Sequence, residues 1–184
     1  MVDPEYYIID NFLGSDACKI LVEQMPEYET ASVLDFKTPV KDTTQRNTQL
    51  NFLNVDTMLG MMYMYAARQM NTDLSWNFNI TNVESIQVLK YTKDGFYIPH
   101  IDVLPTSVRG KQRKISFSVA LNSPDEYEGG EFRVYPLSNP EGIDLKLPCG
   151  DAVIFPSFLC HEARPVIDGV RYSSTAWIEG PNWQ

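Results

Sequence analysis

His100 and Asp102 stand two residues apart in the stretch Tyr91-Thr-Lys-Asp-Gly-Phe-Tyr-Ile-Pro-His100-Ile-Asp102, which reads as a strand. Side chains two apart on a strand project from the same face, so an imidazole and a carboxylate are set side by side. The chain has only two histidines. The second, His161, ends another strand-like segment, Phe155-Pro-Ser-Phe-Leu-Cys-His161. Two imidazoles and one carboxylate form the three-ligand set that holds a non-haem ferrous ion from one side and leaves positions open for other ligands. A lone His-x-Asp is a weak signal, because a strand histidine is usually a satisfied core or surface residue. The joint pattern is less easily accidental, since all the histidine falls at these two strand positions.

A fourth residue extends the pattern. In the final strand Arg171, Ser173, Thr175 and Trp177 share one face, and Tyr172, Ser174, Ala176 and Ile178 share the other. A guanidinium with a hydroxyl two residues on can grip a carboxylate through charge-assisted hydrogen bonds. The plainer reading of Arg171 is a surface ion pair. Cys160 adjoins His161 and would offer zinc a thiolate together with Cys149, but adjacent strand residues face opposite ways, which turns Cys160 from the metal. Asp151 reads as a turn residue, and Glu128 and Glu131 as structural residues flanking a Gly-Gly turn. The loop 103–112 follows the metal pair directly, with Arg109, Lys111, Arg113 and Lys114 at its end. It reads equally as a substrate lid and as a solvated basic hairpin. Arg46, in a long early loop, is within reach of the site, though nothing in the sequence compels it there.

The elements that must position these residues change in texture along the chain. Residues 6–13 read as an opening strand, and Ser15 as the N-cap of a helix ending at Pro26. Residues 28–51 are polar and without period, a long loop with a short strand at 50–53. Between Val55 and Met70 the residues Met58, Met61, Met62, Tyr65 and Ala66 recur at three and four, which predicts an amphipathic helix with that face on the core and Asn54 as its cap. Trp76, Phe78 and Ile80 alternate as a strand. Beyond Asn82, about eight short strands follow at the spacing of a sandwich or barrel. The expectation is an α+β fold, helices on one face of a β core, in a single domain 1–184 with a helical support region 1–82 and the core at 83–184.

Composition limits the partners. With 184 residues and 43% hydrophobic content, the chain can bury a real core. Its net charge of −9 disfavours nucleic acid and anionic membrane surfaces. No signal peptide is visible, and the most apolar stretch, 58–67, is too short to span a bilayer. Cys18, Cys149 and Cys160 are odd in number and lack CxxC spacing, which argues against a disulfide framework and for a cytoplasmic location.

Taken together, Tyr91-x-x-x-Gly95-x-x-x-x-His100-x-Asp102, then Glu128-Gly-Gly-Glu131, then Gly150-Asp151 leading to Pro156 and His161, then Gly169-x-Arg171-x-Ser173 with Trp177, resemble the Fe(II)/2-oxoglutarate-dependent dioxygenases. Within that superfamily they are most similar to the prolyl 4-hydroxylase-like and PKHD-type hydroxylases. The resemblance is dense over the last hundred or so residues. It implies a double-stranded β-helix (jelly-roll, cupin-like) with Fe(II) bound by His100, Asp102 and His161. It further implies 2-oxoglutarate and O2 as co-substrates, admits ascorbate, and assigns Arg171 to the C5 carboxylate with Tyr91 and Ser173 assisting. Succinate and CO2 would be released. Collagen-type prolyl 4-hydroxylases carry a lysine where this chain has Arg171, which shifts the match toward the PKHD-type branch. The implied substrate is a peptide or protein side chain, proline first, with a free amino acid or other small molecule as the alternative. A non-catalytic β-helix ligand-binding module is the alternative of another class.

Overall fold

The computed structural model describes residues 5–23, 28–31, 33–35, 38–40, 42–104 and 110–183. The chain opens with β1 (Tyr7–Ile9) and α1 (Ser15–Glu23). The short strands β2 (Glu29–Thr30), β3 (Val33–Asp35), β4 (Thr38–Val40), β5 (Arg46–Asn47) and β6 (Gln49–Leu53) follow, and then α2 (Met58–Asp73). The remainder is β7 (Asn82–Tyr91), β8 (Phe96–His100), β9 (Lys111–Ala120), β10 (Tyr127–Gly129), β11 (Phe132–Val134), β12 (Ile143–Leu145), β13 (Ala152–Pro156), β14 (His161–Ala163), β15 (Val166–Gly169) and β16 (Arg171–Pro181).

Two antiparallel sheets carry the fold. The larger has the order β1-β13-β9-β16-β7-β6-β2 and the smaller the order β12-β11-β14-β8-β5. Strands distant in sequence are neighbours in both, as a double-stranded β-helix requires. The α+β expectation therefore holds. The polar stretch 28–51 is not simply a loop, because β2 and β6 extend the large sheet and β5 edges the small one. Residues 1–82 thus contribute strands to both sheets as well as helices.

Along the central strands of the large sheet, every second side chain faces one core. Ile86 and Val88, Ile115, Phe117 and Val119, and Ala176 and Ile178 are buried together with Tyr63 and Ala67 of α2. Tyr63 is the centre of this contact: its ring lies 5.0 Å from Phe12 and 5.2 Å from Phe117, and its hydroxyl donates to Ser174 Oγ at 2.9 Å. Burying an aromatic of this size contributes about 1.5–3 kcal/mol, and the satisfied hydroxyl avoids the cost of a stranded donor.

α2 turns a different stripe inward from the one its methionines suggest. Met58, Met61 and Tyr65 are 71%, 64% and 72% exposed, while Gly60, Tyr63, Ala67 and Asn71 are buried. A Met-rich helix offers two stripes at three-and-four spacing. The buried one wins because Tyr63 finds both ring partners and a hydroxyl acceptor. Asn54 is not the cap; its carboxamide oxygen accepts from Asp56 N at 2.9 Å, and Thr57 caps by accepting from Gly60 N at 3.4 Å. Residues 76–80 form no strand either. They are held to the helix end by Asn71, which accepts from Phe78 N and donates to Phe78 O, both at 2.9 Å.

Candidate metal centre

β8 and β14 are neighbours in the small sheet, and their register places His161 directly opposite His100. The rings stand 4.3 Å apart between centroids. Asp102 follows the end of β8, where its backbone N–H donates to Ser157 O at 2.8 Å and turns the chain inward. Its carboxylate lies 3.8 Å from His100 Nε2 through Oδ1 and 3.5 Å from His161 Nε2 through Oδ2. One ligand atom from each of the three residues falls within 4.8 Å of the others, and this is the cluster of metal-ligating residues found among the described residues.

The hydrogen bonds around the cluster define its chemistry. His100 Nδ1 contacts Ile98 O at 2.7 Å and His161 Nδ1 contacts Leu159 O at 2.9 Å. A carbonyl only accepts, so each Nδ1 carries a proton and each ring turns its Nε2 toward Asp102, the atom left for a metal ion. Burial, followed by the nearness of His161, pushes His100 down to about 3, so its ring is neutral. Burial alone would raise the Asp102 carboxyl; the adjacent His161 and His100 rings and the Arg113 guanidinium outweigh it and hold the group below its ordinary value. Asp102 Oδ2 is buried with no hydrogen-bond partner. Three acceptors thus converge with no donor between them, an arrangement that a divalent cation satisfies. Two imidazoles and a carboxylate, with no thiolate, suit Fe(II). Cys160 lies outside the cluster.

His100 is further held by a stack. Tyr97 lies on its ring at 3.6 Å with an interplanar angle of 17°, and the Arg46 guanidinium sits 4.8 Å from the Tyr97 ring. Arg46 is buried and donates through Nη2 to Gln87 Oε1 at 3.3 Å. β5 brings it there by pairing Arg46 with Tyr97 across the sheet edge. The sequence left Arg46 uncommitted and passed over Tyr97. The signal for Tyr97 was its place three residues before a ligand on a short strand, which is legible only once β8 is known to be twisted and paired on both sides.

The large sheet supplies the other wall. Arg171, Ser173, Thr175 and Trp177 all line the pocket that contains the three ligands, as their alternation predicts. Arg171 is buried, donates through Nη1 to Ser173 Oγ at 3.2 Å, and lies 5.1 Å from the ring of Tyr91, its cross-strand partner. Among the described residues no carboxylate pairs with it. A buried guanidinium without an anion is a costly arrangement that an anionic ligand would relieve. Arg113 pairs in bidentate fashion with Glu84 at 2.6 and 2.7 Å and lies 3.9 Å over Trp177. It stands in β9, which starts at Lys111. The expected lid and Arg109 fall on residues 105–109, outside the described residues. Asp151 is the turn residue expected of it, accepting from Asn11 N at 2.8 Å.

The sequence model of the 2OG-Fe(II) oxygenase superfamily matches residues 86–179, a span that contains all three cluster residues and Arg171. The chain belongs to that superfamily. Among curated proteins, a PKHD-type hydroxylase of Stenotrophomonas maltophilia (strain R551-3) is 36% identical over 93 residues, covering 49% of this chain and 40% of the relative. The match thus spans well under half the length of that relative. Among solved structures, a Pseudomonas putida prolyl-4-hydroxylase superposes with a TM-score of 0.72 at 20% identity, over 96% of this chain and 93% of the other. A Trichoplax adhaerens prolyl hydroxylase, in complex with a hypoxia inducible factor peptide fragment, gives 0.66 at 21% identity over 95% and 83%. These two likenesses establish the shared fold. No helix among the described residues is long and apolar enough to cross a membrane.

Proposed function

We propose that the chain is an Fe(II)- and 2-oxoglutarate-dependent hydroxylase of a peptide or protein side chain, with proline the first candidate. The observation that carries this reading is the convergence of three acceptors, from His100, Asp102 and His161, in one pocket with the guanidinium of Arg171, which pairs with no carboxylate among the described residues. The three would hold Fe(II). Arg171 and Ser173 would bind the C5 carboxylate of 2-oxoglutarate against Tyr91. Bound iron would supply the redox chemistry that couples conversion of 2-oxoglutarate and O2 to succinate and CO2 with hydroxylation of the substrate.

The chain's own part is to bind, orient and exclude water. The backbone carbonyls of Ile98 and Leu159 fix both imidazoles. Leu89, Phe132, Phe155 and Trp177 wall the pocket with apolar surface, which strengthens the Arg171 interaction with an anion. The peptide reading is supported by the Trichoplax neighbour, which holds a peptide, the prolyl reading by both structural neighbours, and the hydroxylase reading by the PKHD-type relative. Ascorbate is proposed as an auxiliary reductant. Three unpaired cysteines suit a reducing cytoplasm.

The test is turnover. Chain supplied with Fe(II), ascorbate and 2-oxoglutarate should release succinate slowly without substrate, and faster with proline-containing peptides that gain one oxygen by mass spectrometry. His100→Ala and Asp102→Ala should each abolish release; unchanged turnover in both sinks the reading, and would leave a ligand-binding module. Arg171→Ala should raise the KM for 2-oxoglutarate by about tenfold or more, the loss expected for a charge-assisted pair. Gain of oxygen on free amino acids but on no peptide would move the substrate to the small-molecule class.

A further inference from the structure

In the core beneath α1, two thiols meet that the proposed reaction does not use. Cys18 lies in the first turn of α1 and is fully buried; Cys149 is half-buried and precedes β13. Backbone contacts bring their segments together. Leu13 N donates to Gly150 O at 3.0 Å, and Gly150 N donates to Ala120 O at 2.8 Å. Gly150 has a φ of +94°, and a Cβ there would collide with the Leu13 carbonyl oxygen, so the two chains pass at a separation only glycine permits. The thiols then converge on consecutive residues: Cys18 Sγ donates to Ala120 O at 3.9 Å and Cys149 Sγ to Leu121 O at 3.4 Å. Burial pushes the Cys18 thiol up to about 12, and the nearness of Cys149 adds to this.

We propose that Cys18 and Cys149 are the site of a reversible disulfide that staples α1 to the sheet behind the metal centre. The more exposed Cys149 is the point of attack. Its thiolate displaces one thiolate from a small-molecule disulfide of the glutathione class, forming a mixed disulfide. Cys18, losing its proton to solvent as the first turn of α1 opens, then attacks the Cys149 sulfur and releases the second small thiolate. Two protein thiols are oxidised and one small disulfide is reduced to two thiols. The bridge closes a long loop, from 18 to 149, and so removes conformational freedom from the unfolded chain. It is anchored beside Ala120, which pairs with Ser173 of the Arg171 strand. A small-molecule dithiol reverses it. Cys160, beside His161, serves as an internal control.

The full chain is incubated with oxidised glutathione or with dithiothreitol, unfolded, alkylated, digested and analysed by mass spectrometry, with thermal unfolding measured in parallel. The expected result is a cross-linked peptide pair containing Cys18 and Cys149, with Cys160 still alkylated. The unfolding midpoint should rise on oxidation and return on reduction. Cys149→Ser, at the more open position, should stay folded and lose both the cross-link and the midpoint shift. Full alkylation of all three cysteines after oxidation overturns the proposal. So does a lasting glutathione adduct on Cys149 with Cys18 alkylated, a linkage through Cys160, or a midpoint indifferent to the cross-link. None of these readouts needs iron or 2-oxoglutarate, so they stand or fall apart from the hydroxylase reading.

Discussion

Tyr97 ties His100, a proposed ligand, to a residue from a remote segment, Arg46, by two successive face contacts. Aromatic pairs of this kind are worth about 0.5–1.5 kcal/mol beyond burial, and partners that orient a ligand affect metal affinity more than their own contact energy suggests. Tyr97→Leu should therefore weaken Co(II) or Fe(II) binding by about tenfold in a calorimetric titration, with Tyr97→Phe close to the native chain. Equal affinity in all three would show that the stack does not orient His100. Two of the three proposed ligands were legible in the sequence because histidine is its rarest residue type, and Asp102 because it stands at strand spacing from one of them. Tyr97 was not, because one tyrosine among 10 carries no mark of its role until its cross-strand neighbours are known.

The two elements that differ most from their sequence patterns are α2 and the stretch 28–51. α2 has the expected period but the opposite face inward, since periodicity fixes a stripe's spacing and not which of two stripes meets the sheet. Gly60 helps decide it: a Cβ there would strike the Val55 carbonyl oxygen, so the helix start is folded against the preceding turn. Gly60→Ala should accordingly lower stability, where helix propensity alone would raise it by about 1 kcal/mol. Urea unfolding reads the sign directly. A higher midpoint in the alanine variant would mean that the turn at Val55 relaxes freely. The short strand expected at 50–53 is β6, but β2 and β5 are not legible within 28–51 because each is two residues long, too short for alternation to register, and β5's partner lies elsewhere in the chain.

The sheet order β1-β13-β9-β16-β7-β6-β2 interleaves the first and last thirds of the molecule. The site was readable largely from residues 91–173, yet Arg46 in its lining and the helix packed behind the large sheet come from earlier in the chain. The fragment 83–184 would lack β6 against β7 and Tyr63 against Phe117, exposing Ile86, Val88 and Phe117. It should bind a hydrophobic dye and show no cooperative thermal transition, whereas the full chain should lose its far-UV and tryptophan signals together. A fragment that unfolds cooperatively would show the C-terminal part to be self-sufficient.

Both imidazoles are fastened in the same way, each Nδ1 to the carbonyl two residues before it. Neither ring can flip without breaking its hydrogen bond, which is buried at His161, and their orientation is settled when the sheets assemble. The ordering entropy of the ligands is spent during folding rather than on metal capture. Loading and stripping the metal should then shift the unfolding temperature by mass action while leaving the amide spectrum of the β core nearly unchanged. The centre would behave as a rigid template that exchanges ions, and not as a hinge that closes around one.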